Sequence, residues 1–284
     1  MTNPKPQTPN PKSQGQSRLR SARVSSLWAL GLAFGFAFGF GLWDLGFGIL
    51  VTAQRGGGGA QAAARTAAPV DLTGMWVSVV TEDWRWRMRT PPRGDYASVP
   101  MTPAATKVAD GWDPARDTAA GEQCRAYGAP AIMRVPGRIR ISWENDNTLK
   151  LETEAGTQTR LFHFNAPPAA TTPSWQGTSA ANWIVAGGGG RRGGGAAVAR
   201  SGSLRVITTN ARPGYLRKNG VPYSADARVT EHFNRTTEPN GDSWLVVSTL
   251  VEDPQYLSQR FIVSTHFKKL PDGSAWNPTP CSAS

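Results

Sequence analysis

Histidine and cysteine are scarce in this chain, three and two in 284 residues, and the sequence offers no complete catalytic or nucleotide-binding motif. No Gly-Lys-Ser or Gly-Lys-Thr follows either glycine-rich stretch, which excludes a phosphate loop. The nearest approach to a Gly-x-Ser-x-Gly turn is Gly177-Thr178-Ser179-Ala180-Ala181. It lacks the closing glycine and falls in an expected strand, so Ser179 is a weak nucleophile candidate. Neither Cys124 nor Cys281 has a second cysteine or a histidine at ligand spacing, which argues against a zinc site. Helical periodicity is nearly missing as well, with 103–111 the one helix candidate.

The formal charge of +11 lacks the distribution that nucleic acid requires. Lys5, Lys12, Arg18, Arg20, Arg23, Arg55 and Arg65 oppose only Asp44 ahead of residue 71, and Arg191, Arg192 and Arg200 lie in or beside a glycine-rich insertion. The remainder is nearly balanced. Basic residues clustered with interleaved aromatics are not evident, so no nucleic-acid partner is expected.

What is present begins with a leader. Arg18, Arg20 and Arg23 precede an apolar run over 27–51, and Val51-Thr52-Ala53 ends in the small residue that signal peptidase requires. Residues 1–53 therefore read as an N-terminal extension and signal peptide cut after Ala53. Because about 20 apolar residues suffice to span a bilayer, an uncleaved anchor helix over 27–51 is the alternative, and the only membrane association expected. The protein is placed in the periplasm or outside the cell. Residues 54–70, rich in Gly and Ala, read as a flexible linker. In an oxidising compartment Cys124 and Cys281 are expected to pair, tying the C-terminal tail to the early part of the domain.

From residue 72 onward the apolar spacing is mostly two, the mark of strands with one buried face. Ile139, Ile141 and Trp143 alternate with Arg138, Arg140 and Ser142. Beyond an Asn-Asp-Asn turn, Leu149 and Leu151 alternate with Lys150 and Glu152, which makes a hairpin. A further turn at Ala155-Gly156 leads to a strand ending at Phe164. Strands are also expected over 72–80, 84–88, 131–135, 175–186, 204–209, 229–235, 244–252 and 260–269. The segment 244–251 is apolar on both parities and reads as central or doubly covered. The fold class is all-β, a single antiparallel barrel of lipocalin-like type or a sandwich of about ten strands. One domain is expected over 71–284, interrupted by a Gly-rich insertion at 187–195.

The segments DLTGMWVSVVTEDWRWRM, GEQCRAYGAPAIMRVPGRI, GTQTRLF, TTNARPGYLRKNGVPYS and LVVSTLVEDPQYL resemble those of a group of exported, β-rich bacterial proteins. That group opens with a Leu-Thr-Gly-x-Trp strand and closes with a Val-Glu-Asp-Pro-x-Tyr turn. The resemblance spans most of residues 71–281. It implies a fold and carries no established activity.

Several residues stand out as candidates for chemistry. Glu231 shares strand parity with Val229 and Phe233, and Arg160 with Phe162 and Phe164, so each charge should face the apolar interior. A buried carboxylate must be paired, protonated or in a polar pocket; a Glu231–Arg160 pair is therefore a candidate ligand anchor. Trp84, Trp86 and Met88 alternate with Arg85 and Arg87, which suggests an aromatic stripe for stacking a flat ligand or for packing the core. Tyr215 and Tyr223 flank a loop containing Arg217 and Lys218 that is placed to cover a barrel mouth. His163, His232 and His266 each precede a phenylalanine, but if the phenylalanines face the core the histidines face outward. Glu252 and Asp253 read as turn residues. No metal and no cofactor is expected.

The function that follows is binding of a small, partly apolar ligand, with Glu231, Arg160, Trp84, Trp86 and Tyr215 as contacts. One alternative is a hydrolase or isomerase using Glu231 as general acid or base. Another is a structural or partner-binding envelope protein.

Overall fold

The period-two spacing is realised as strands in a computed structural model that describes residues 62–169, 172–186, 201–273 and 275–284. The leader, the expected cleavage site and the glycine block 187–195 lie outside the described residues. Eleven strands are β1 Gly74–Val79, β2 Arg138–Asn145, β3 Thr148–Thr153, β4 Gln158–His163, β5 Thr178–Ala186, β6 Ser201–Thr209, β7 Gly214–Tyr215, β8 Pro222–Tyr223, β9 Arg228–Thr237, β10 Ser243–Glu252 and β11 Phe261–Leu270. Three short helices are α1 Trp84–Arg87, α2 Pro103–Asp110 and α3 Pro114–Ala119, with 3₁₀ turns at Gln123–Tyr127 and Ile132–Arg134.

Nine strands close a barrel in the order β1, β2, β3, β4, β5, β6, β9, β10, β11, with β11 returning to β1. An odd ring cannot close with antiparallel pairs alone, because strand direction would have to alternate all the way round. The required parallel seam is β4–β5, joined over only two residue pairs, Phe162↔Ser179 and His163↔Ala180. Parallel neighbours need a crossover of a dozen or more residues, which residues 164–177 supply. The barrel is thus mixed and nine-stranded, where an eight-stranded lipocalin is wholly antiparallel.

Alternation sets the interior. Trp76, Phe162, Phe233, Phe267, Leu204, Leu151 and Val247 point inward and are almost wholly buried, each worth about 1.5–3 kcal/mol of transfer free energy. The β2–β3 hairpin forms in the expected register, with Arg140 donating two bonds of 2.9 Å to Glu152 on its outer face. Along β10, Ser243, Leu245, Val247, Thr249 and Val251 are buried while the intervening residues are only partly covered. The expected double covering of that strand is therefore not found; its outer face keeps Trp244, Val246 and Leu250 half-exposed.

At the barrel end where β1, β3, β6 and β10 finish, the connections 80–137, 210–227 and 253–260 build a cap that includes all three helices. A second apolar cluster joins it to the strands: Leu216, Val221, Tyr223 and Leu257 pack with Val229, Val251 and Phe261. At the opposite end Trp143, Phe164 and Trp183 form a tilted trio with centroids 5.1–6.5 Å apart.

Three expectations are corrected. Residues 84–88, expected as a strand, form the single turn α1, entered through Asp83 at φ 54°. β1 has already ended at Val79, so no ladder continues to impose extended backbone, and the Trp86 and Arg87 amides donate to the Asp83 carbonyl instead. Residues 131–135 are likewise not a strand; they contain a 3₁₀ turn whose consecutive residues Ile132, Met133 and Arg134 are all buried between cap and barrel. Finally, residues 62–70 of the expected flexible linker are docked. The Ala64 amide donates to Asn147 Oδ1 at 2.9 Å, its carbonyl accepts from Trp183 Nε1 at 2.9 Å, and Arg65 N reaches the Asp146 carbonyl at 3.0 Å. Backbone hydrogen bonds hold this segment where its small side chains offer little apolar area.

Candidate functional site

The charged pair foreseen from strand parity exists. Arg160 on β4 donates from Nη1 to Glu231 Oε1 at 2.9 Å and from Nη2 to Oε2 at 2.6 Å, and both side chains are 0 % exposed. Arg160 Nη2 also reaches Thr208 Oγ1 at 3.2 Å, and Thr208 shares a 2.7 Å hydrogen bond with Ser179. This bidentate arrangement engages both carboxylate oxygens. It leaves Glu231 without a free oxygen directed at solvent, and Ser179 is spent on an internal bond with no histidine beside it. Inside the barrel Arg160 also lies over the Phe162 ring at 4.9 Å, and its Nε has no hydrogen-bond partner among the described residues.

Clefts occur at several places among the described residues, and one of them lies in the cap. A cleft of about 420 Å³ forms where α1, the two 3₁₀ turns, the β3–β4 turn, the β7–β8 loop and the C-terminal tail meet. Its apolar wall includes Trp86, Tyr127, Val135 and Leu216. Its cationic lining is Arg87, Arg89, Arg134, Arg217 and Lys218; no aspartate or glutamate lines it, but the terminal carboxylate of Ser284 does, accepting from Lys218 Nζ at 3.4 Å.

Three of those cations are buried, and each is held from behind. Arg87 Nε donates to the Arg134 carbonyl at 3.0 Å and Nη1 to Glu82 Oε1 at 2.9 Å. Arg134 Nη2 donates to Asp83 Oδ2 at 2.7 Å. Arg217 makes one hydrogen bond, Nη1 to the Ala97 carbonyl at 2.7 Å, and stacks over the Trp86 ring at 4.7 Å. Among the described residues it has no carboxylate within ion-pair distance. Burial first, and the like charge of Arg134 next, pull its guanidinium down to about 10. Burial also lowers Arg87. Arg217 Nε and Nη2, Arg134 Nη1 and Arg87 Nη2 are buried without hydrogen-bond partners among the described residues.

The β7–β8 loop owes its inward fold to two local features. Asn219 Nδ2 donates to the carbonyls of Pro92 at 3.1 Å and Asp95 at 3.0 Å, and Leu216 N to the Val221 carbonyl at 2.7 Å. Gly220 adopts φ +83°, and an added Cβ would lie 2.3 Å from Trp112 Cβ. Gly220→Ala is therefore expected to push the loop off Trp112, lower stability by more than about 1 kcal/mol in urea unfolding, and alter the near-ultraviolet circular dichroism of the cap.

The sequence candidates separate accordingly. Trp86 and Met88 line the cleft, Met88 remaining 58 % exposed, whereas Trp84 is 66 % exposed and is not among the lining residues. Tyr215 is buried behind the cleft wall, donating to Asp117 Oδ2 at 3.0 Å and accepting from Arg125 Nη1 at 2.9 Å. Burial pushes its phenol up despite the opposing Arg125 cation. The loop carrying Arg217 and Lys218 does lie over the barrel end. Sequence reasoning missed Arg134, hidden in a segment taken for a strand, and Tyr127, whose neighbours carry no periodic signal. His163 contacts Thr148, and His266 contacts Thr81 and Glu82, while no set of three metal-binding side chains gathers among the described residues. Asp253 accepts from the Ser224, Gln255 and Tyr256 amides, and Glu252 pairs with Arg260, so this acid pair builds a turn. Cys124 and Cys281 form a disulfide, which is compatible with an oxidising, exported location. Among the described residues no helix is long and apolar enough to cross a membrane.

Comparison with protein-family models, with curated proteins and with solved structures finds no match to this chain.

Proposed function

We propose that this protein is an exported binding module for a small, partly apolar molecule, and that the ligand sits in the cap cleft while the barrel serves as a rigid support. The observation carrying this reading is the cleft itself, in which Trp86, Tyr127, Val135 and Leu216 offer apolar contact beside buried guanidinium groups. The cleft is concave and combines apolar contact with convergent charged groups, more polar than the usual small-molecule pocket. The leader, cut after Ala53, and the disulfide fit delivery to the periplasm or beyond, as does the resemblance to exported β-rich proteins.

A thermal-shift screen of small aromatic and aliphatic compounds tests the reading. A true ligand at one hundred times its Kd raises stability by about 2.7 kcal/mol, and Trp86→Ala is expected to abolish that shift while the unliganded protein still melts cooperatively. A shift unchanged in Trp86→Ala would move the site elsewhere.

A further inference from the structure

We infer that the cap cleft reads a carboxylate, so that its ligand is a small organic acid with an apolar body; this rests on the binding-module reading above. The argument begins with which nitrogens of Arg217 are engaged. Nη1 is committed to the Ala97 carbonyl, while Nε and Nη2, both buried, have no partner among the described residues. Those two nitrogens share one edge of the guanidinium, and their parallel N–H bonds match the two oxygens of a carboxylate. The side chain is 4 % exposed and is fixed by its Ala97 bond and by the Trp86 ring stacked against it, so this edge is pre-organised.

A second observation points the same way. Arg134 and Arg87, 6 % and 8 % exposed, line the same cleft and each keeps one further nitrogen without a partner, Nη1 and Nη2 respectively. Their carboxylate partners, Asp83 and Glu82, are not among the lining residues, so these arginines present positive charge to the cleft, where the terminal carboxylate of Ser284 is engaged by Lys218 at 3.4 Å. Holding unpaired N–H donors and like charges together away from water is unfavourable. An incoming carboxylate would satisfy the free donors with charge-assisted bonds and offset the mutual repulsion that lowers Arg217. The neighbouring Trp86 and Leu216 supply the apolar contact for the rest of the acid.

Isothermal titration of the intact protein with matched pairs tests this: 4-phenylbutyrate against 4-phenylbutyramide, octanoate against octanamide, and phenyl phosphate as the other oxyanion. The expected result is binding of the carboxylates at least tenfold tighter than their amides. Arg217→Lys, which keeps the charge and removes the two-donor edge, should erase that preference. Equal binding of acid and amide would overturn the carboxylate assignment and leave the binding-module reading standing. Preference for phenyl phosphate over both acids would overturn it in favour of a tetrahedral anion. Absence of binding by every compound would remove the binding-module reading together with this one. The acid–amide comparison on the unaltered protein decides the matter even if Arg217→Lys fails to fold.

Discussion

Arg160→Met and Glu231→Leu are each expected to destabilise the barrel by about 3–5 kcal/mol, and the double substitution to recover most or all of that loss. The reasoning starts from burial: both side chains are 0 % exposed and hydrogen-bonded to each other at 2.6 and 2.9 Å. Removing one partner strands a charge in the interior, whereas removing both exchanges an ion pair for apolar contact, which is often neutral or stabilising. The surroundings favour recovery here. Thr208 loses its bond from Arg160 but keeps the 2.7 Å bond with Ser179, so the double variant creates no new orphaned hydroxyl. Equilibrium unfolding in urea checks the three variants as a cycle.

The Arg160→Met variant should also acquire a characteristic pH dependence. A carboxyl group left buried without a cation favours its neutral form, whereas in an unfolded chain carboxyls ionise in a window centred on about 4.3. The folded state then binds more protons than the unfolded one, so the variant is most stable at acid pH and weakens as pH rises through that window. A double variant that stays unfolded would show that the pair is required for more than charge compensation. If it folds and still binds ligand in the cap, Glu231 is not needed for that binding.

That pair also marks how far the sequence could be read. Strand parity is local: Glu231 between Val229 and Phe233, and Arg160 beside Phe162, had to face where those residues face, and the register does bring them together. The β2–β3 hairpin and the pairing of Cys124 with Cys281 were legible for similar reasons, one from alternation and turn residues, the other from compartment and count. The cap was not legible. Its elements are short and are held by bonds between distant residues, such as Arg87 Nε to the Arg134 carbonyl and Asn219 to the Asp95 carbonyl. No periodicity records such contacts, so the alternating Trp84, Trp86 and Met88 imitate a strand although α1 leaves Trp84 exposed and buries Arg87. The parallel β4–β5 seam was hidden too, because strand direction follows from the parity of the whole ring. The consequence for function is direct. The most legible charges belong to the packed barrel, and the cationic cleft is assembled from segments that carry little local signal.

Loss of the disulfide is the other large expected effect. Cys124 and Cys281 are 157 residues apart, and closing a loop of that length restricts the unfolded chain by about 5 kcal/mol in the chain-entropy treatment, an upper value for the measured effect. Cys124→Ala with Cys281→Ala, or reduction by dithiothreitol, should therefore lower unfolding stability by about 2–5 kcal/mol. Neither cysteine lies in a strand, so the barrel is expected to survive, with its far-ultraviolet spectrum unchanged. The local consequence falls on the tail. Thr279 and Ser284 line the cleft, and without the covalent tie the tail keeps bonds such as Thr279 N to the Glu154 carbonyl at 2.9 Å, Asn277 N to Glu154 Oε1 at 2.6 Å and Ser282 N to Tyr127 Oη at 3.2 Å. At about 1 kcal/mol net apiece, they hold the tail less firmly than the covalent tie does. Ligand affinity should then fall along with stability, whereas an equal unfolding midpoint for oxidised and reduced protein would show that the tail and Cys124 are held together well enough without the bond.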